Sequence, residues 1–116
     1  MWQYEFYRNA TGEEPVKTFL DSLDRKARAK VFQTVGILSE FGPIVPFPYS
    51  SHVQGEIREL RAHYGKTLYR ILYFHDSQGT FILLHAFEKS TAQIPVREIK
   101  IAQARIHDYL SQKKGD

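Results

Sequence analysis

Apolar residues recur along this chain with two periods. At the start, Trp2, Tyr4 and Phe6 alternate with Gln3, Glu5 and Tyr7. That spacing predicts a strand over Trp2–Arg8. In "TGEEPVKTFLDSL" the period changes. Val16, Phe19, Leu20 and Leu23 follow a helical spacing, and Pro15 suits a first turn. "DRKARAKVFQTVGILSEFG" predicts a second helix, with Asp24 as N-cap and Ala27, Val31, Val35 and Leu38 as its apolar stripe. Gly42-Pro43 stops it. "PIVPFPYSSHVQG" holds three prolines and reads as a surface loop.

Strand periods then return in "EIRELRAH", "TLYRILYFHD" and "TFILLHAFEK", with "DSQG" as the hairpin loop between the last two. "IPVREIKIAQARIHDYLSQ" closes as a helix, with Ile99, Ala102, Ile106, Tyr109 and Leu110 along one face. The predicted order is β-α-α-β-β-β-α. It implies an α+β domain whose antiparallel sheet carries the two N-terminal helices on one face. Both sides of "LYRILYF" are apolar, so the second face needs a cover, from the C-terminal helix or from a partner.

Composition narrows the class. A chain of 116 residues bounds a single domain, 1–116. With 42% hydrophobic and 25% charged residues it reads as globular rather than disordered. The absence of cysteine excludes disulfides and thiolate metal sites and points to a cytoplasmic chain. The opening "MWQYEFYRNATGEE" is too polar for a signal peptide, and no apolar run reaches membrane-spanning length. The net charge is +3, and the excess lies in residues 51–116, with ten Lys/Arg against seven Asp/Glu. That bias suits a polyanion such as RNA, or an acidic protein.

Two motifs carry no chemistry. "YGKT" resembles the end of a phosphate-binding loop, but the required earlier glycine is Leu60 and a strand follows instead of a helix. The five histidines, His52, His63, His75, His85 and His107, form no metal-binding spacing. Cations inside the apolar strands are more telling: Arg58 and Arg61 in "EIRELR", Lys66 in the next turn, Arg70 in "LYRILYF", and Lys89 after "ILLHAFE". An arginine in such a strand costs desolvation unless paired or open to a cleft. Glu56, Glu59 and Glu88 are the available partners. The alternative is a cationic sheet surface that holds a phosphodiester. Attack by the 2′-hydroxyl of RNA needs in-line geometry, charge stabilisation at phosphorus and proton transfer. Arginines supply the first two, and a lysine crowded by other cations supplies the third, with no metal or cofactor.

The run "EIRELR…YRILYF…ILLHAFEKSTAQIP…EIKIAQARIHDY" resembles the RelE/ParE toxin superfamily, and within it the phage-derived HigB-like toxins. The likeness extends to "EEPVKTFLDSLDRKARAKV" and so covers nearly the whole chain. It implies the RelE-like fold and the toxin of a type II toxin–antitoxin pair. Such a toxin is a ribosome-dependent endoribonuclease that cuts mRNA without a metal, and a cognate antitoxin, usually with a helix-turn-helix domain, neutralises it. By position, Arg61, Arg70 and Lys89 would contact the phosphate and the transition state. Lys66, Arg58 and Arg105 would contact RNA more broadly. Tyr109 matches the final motif but is equally a core residue. The pattern's second lysine is Ser90 here, and Ile94 replaces a threonine before the proline. Losing that cation beside Lys89 weakens the case for strong cleavage. A ParE-like gyrase inhibitor, a weakened toxin relative and a plain binder of an acidic protein therefore stand beside the nuclease.

Overall fold

The computed structural model describes residues 1–88 and 92–114. Its elements are β1 (Tyr4–Phe6), α1 (Pro15–Asp21), α2 (Arg25–Phe41), a 3-10 turn (Gly42–Ile44), β2 (Ser50–Gln54), β3 (Ile57–Tyr64), β4 (Thr67–His75), β5 (Phe81–Glu88) and α3 (Val96–Lys114). The α+β class and the two helices after the first strand are as the periodicity predicts.

The ends of α2 follow from local chemistry. The Asp24 carboxylate accepts the Ala27 backbone N–H at 2.9 Å, satisfying an orphan donor of the first turn. Gly42 ends the helix at φ 62°, and a side chain there would collide with the Trp2 indole. Trp2 is fixed against this end by its N–H to Ser39 O and by Ser39 Oγ to its own carbonyl, both at 2.8 Å.

Two features differ from the expectation. The proline-rich segment contains β2, which lies antiparallel to β3 with Ser50 opposite Leu60 and Ser51 opposite Glu59. Polar "SSHVQ" has no strand signature of its own, so pairing with β3 makes it a strand. The sheet is also mixed. Its order is β1-β5-β4-β3-β2, and β1 runs parallel to β5, with Tyr4 opposite Phe81 and Phe6 opposite Leu83. A parallel pair needs a long crossover rather than a hairpin, and here α1, α2 and the strands β2–β4 intervene.

One core joins α1 and α2 to the sheet through Val16, Leu20, Val31, Leu38, Leu60 and Ile71. A second lies on the opposite face, where Ala102 and the half-buried Ile99 and Ile106 of α3 meet Leu72, Phe74, Ile82 and Leu84. The C-terminal helix therefore covers the second face. Covering both faces explains why β4 and β5 read as nearly continuous apolar runs.

Candidate functional site

Arg61 of β3 and Arg70 of β4 are direct neighbours across the antiparallel ladder. Like charges so placed repel. The face they share is the one packed by α3, because strand alternation puts Arg70 on the side of Leu72 and Phe74. Glu59, two residues before Arg61, lies on the same face. One carboxylate oxygen, Oε1, is 3.4 Å from Arg61 Nε and 3.7 Å from Arg70 Nε. The second distance is a coulombic contact and too long for a hydrogen bond.

Arg70 is 1% exposed. Its Nη2 donates to the Ala92 carbonyl at 3.0 Å. Arg70 Nε and Nη1 and Arg61 Nε are buried without a hydrogen-bond partner among the described residues. Buried donors of this kind are rare, and three in one place need an explanation. Two guanidinium groups share a single carboxylate, so positive charge is in excess. Burial pushes the Glu59 carboxyl above its ordinary value, and the opposing pull of Arg70 and Arg61 only partly offsets it. The cluster opens into a cleft of about 470 Å³, whose lining includes Ser51, His52, Glu59, Arg61, Gln93 and Ile94.

The other cations lie elsewhere. Lys66 is exposed at the tip of the β3–β4 hairpin, where Gly65 takes φ 62°. Arg58 points to the opposite face of the sheet, with its Nε donating to Ser50 Oγ at 3.2 Å, and Ser50 Oγ in turn 2.7 Å from the Tyr73 hydroxyl. Arg105 projects from α3. Its Nη1 donates to Leu84 O at 2.8 Å and to His85 Nδ1 at 3.3 Å, and the guanidinium lies 5.7 Å from the centre of the Tyr7 ring. Burial pulls Arg105 below its ordinary value. Lys89 and Ser90 lie outside the described residues. Of the six cations singled out, the structure thus brings together Arg61 and Arg70 and separates Lys66, Arg58 and Arg105 from them.

His85 also belongs to the Arg105 group. Arginine can only donate, so Nδ1 accepts and Nε2 carries the proton that bonds Glu98 Oε1 at 3.2 Å. Burial, opposed by Glu98 and assisted by Arg105, lowers its proton affinity and fits this neutral tautomer. No group of three or more His, Cys, Asp or Glu residues able to hold a metal occurs among the described residues. No helix among them is long and apolar enough to cross a membrane.

Sequence reasoning treated Glu59 only as a counter-ion and read Ser51 and His52 as loop. The first was recoverable, because Glu59 and Arg61 sit two apart in a strand and must share a face. The second was not, since β2 carries no strand signature.

A five-stranded mixed sheet with α1 and α2 on one face and α3 on the other, and a cationic cleft on the α3 side, now define the molecule. The model of the family "Phage derived protein Gp49-like (DUF891)" matches residues 18–107. The chain belongs to this phage-derived family, which is a RelE-like toxin family. No curated protein sequence matches it significantly.

Proposed function

We propose that the chain is the toxin of a type II toxin–antitoxin pair and acts as a ribosome-dependent mRNA endonuclease, neutralised by a cognate helix-turn-helix antitoxin. The observation supporting this is the opposed pair Arg61 and Arg70, held by one shared carboxylate and left, among the described residues, with unpaired donors beside a cleft. A phosphodiester in the cleft meets the exposed part of the Arg61 guanidinium and the excess positive charge behind it. Arg61 is the arginine within reach, at 25% side-chain exposure. Arg70 lies behind it as a fixed positive charge and strengthens the field where negative charge develops at phosphorus.

The proposed chemistry uses these residues together with Lys89. The 2′-oxygen attacks phosphorus, and its proton passes to the Glu59 carboxylate, whose proton affinity burial raises above its ordinary value. The bond from phosphorus to the 5′-oxygen breaks, and the departing oxygen takes a proton from Lys89, the residue that follows the end of β5. The products are a 2′,3′-cyclic phosphate and a 5′-hydroxyl. Lys66 adds long-range attraction from the hairpin tip. Arg58 and Arg105, each engaged with protein groups, contribute through the field rather than by contact.

The test is mRNA cleavage in a translation extract. Wild type cuts, and Arg61→Ala or Lys89→Ala lowers the rate by about 10²–10³. Undiminished cutting by the double variant overturns the assigned chemistry. Inhibition of DNA gyrase supercoiling without any mRNA cleavage overturns the nuclease and favours a ParE-like target.

A further inference from the structure

The turn between α2 and β2 carries apolar surface that the fold does not use. Phe47 is 72% exposed and Tyr49 43%. Both are tied to Arg61. The guanidinium lies over the Phe47 ring at 5.8 Å from its centre, and the Arg61 N–H donates to the Tyr49 carbonyl at 2.9 Å. Arg61 thus borders two concave surfaces. One is the cleft containing Glu59. The other is a groove of about 400 Å³ between α2 and β3, lined in part by Lys30, Gln33, Pro48, Tyr49 and His63.

We propose that Phe47 and Tyr49 form a stacking subsite for the base of single-stranded RNA next to the phosphate held by Arg61, with Gln33 and His63 offering hydrogen-bonding groups to the base edge. The subsite rests on the preceding reading of Arg61 as a phosphodiester contact. Three observations support RNA as the occupant, and the second and third of them speak against an acidic protein. Lys30 and Arg61 line the groove and no carboxylate does, which suits an anionic chain. The Phe47 ring lies against the Arg61 guanidinium, and base recognition in single strands uses aromatic faces and guanidinium planes together. The groove also meets the Glu59 cleft at Arg61, so a base and its phosphate can occupy the two at once.

The experiment measures binding without cleavage. A short fluorescein-labelled oligoribonucleotide carrying 2′-O-methyl groups, which cannot be cut, is titrated with full-length protein and followed by anisotropy. Phe47→Leu keeps an apolar surface without a ring and weakens binding about tenfold, within the range of one lost base stack. Phe47→Trp restores binding to within about twofold, a pattern that simple loss of apolar contact would not produce. Equal affinity for wild type and Phe47→Leu overturns the subsite, and so does the absence of RNA binding by wild type. If the substitution weakens only association with a co-expressed antitoxin, the turn is a protein-docking surface and the RNA assignment falls. The readout is independent of cleavage. A protein that binds through Phe47 but cuts no mRNA keeps the subsite and loses the nuclease. One that cuts mRNA but ignores Phe47 does the reverse.

Discussion

Two polar groups sit on the α3 side of the sheet, and they are built on opposite principles. Around α3 the buried polar groups are tied into hydrogen bonds. Arg105 donates to Leu84 O and His85, and His85 donates to Glu98. Tyr7 donates its hydroxyl to Asp108. At the β4–β5 turn, Asp76 accepts the backbone N–H of Gln78 at 2.9 Å and of Thr80 at 3.0 Å, the Tyr109 hydroxyl at 2.7 Å and Lys113 at 3.3 Å. Such a saturated network holds α3 to the sheet. The Arg61–Arg70–Glu59 group is instead short of acceptors among the described residues. Saturation marks the part that holds the fold, and the deficit lies in the part we propose for a ligand.

The sharpest way to break this contrast is to remove Glu59. Glu59→Ala leaves Arg70 buried without any carboxylate, and unfolding by denaturant should show a loss of about 3–5 kcal/mol. Combining Glu59→Leu with Arg70→Leu should recover most of that loss, because an apolar pair replaces a strained ionic one. Cleavage should remain abolished. A double variant as unstable as the single one would mean that the arginine group holds the fold as much as the α3 network does.

Asp76 offers the matching perturbation on the saturated side. Asp76→Ala strands two backbone donors and the Tyr109 hydroxyl, at a cost of about 1–3 kcal/mol. Burial raises the Asp76 carboxyl, but the bonds from Thr80, Tyr109, Gln78 and Lys113 outweigh it and leave it below its ordinary value. A carboxyl depressed in the folded state adds stability above its unfolded value, near 4, and that stability is lost as pH falls through the folded value. Denaturation midpoints measured down a pH series should therefore decline steeply in wild type and more gently in Asp76→Asn. RNA binding should not change. A change would show that the two groups are coupled.

The smallest effect is expected from Lys66. It is exposed and has no ion pair among the described residues. Lys66→Ala should weaken oligoribonucleotide binding slightly and make its dependence on log salt shallower by about 0.7, the share of one phosphate contact on a single strand. An unchanged slope would place the hairpin tip outside the RNA path.

The long elements were legible because each carries its own signal. In α2, the Asp24 cap, the stripe from Ala27 to Leu38 and the Gly42 stop all agree, and the observed helix runs Arg25–Phe41. Both apolar strands of the central hairpin were legible for the same reason. β2 was hidden because its side chains are polar and its pairing partner is not written in its own residues. The parallel docking of β1 was hidden because neither strand records the direction of its neighbour.

For the site, the sequence by itself determined which charges exist and that "EIRELR" and "LYRILYF" place cations in strands. It also determined that Glu59 and Arg61 share a face, since a period of two is local geometry. The same period turns Arg58 to the other face, and only the tertiary structure decided that Arg70 joins Glu59 and Arg61, because a one-residue slip in the β3–β4 register would have put it on the opposite face. It likewise decided that Arg105 is consumed by Leu84 and His85. Pairing of a charge depends on what lies across from it, and that is set by how distant segments meet.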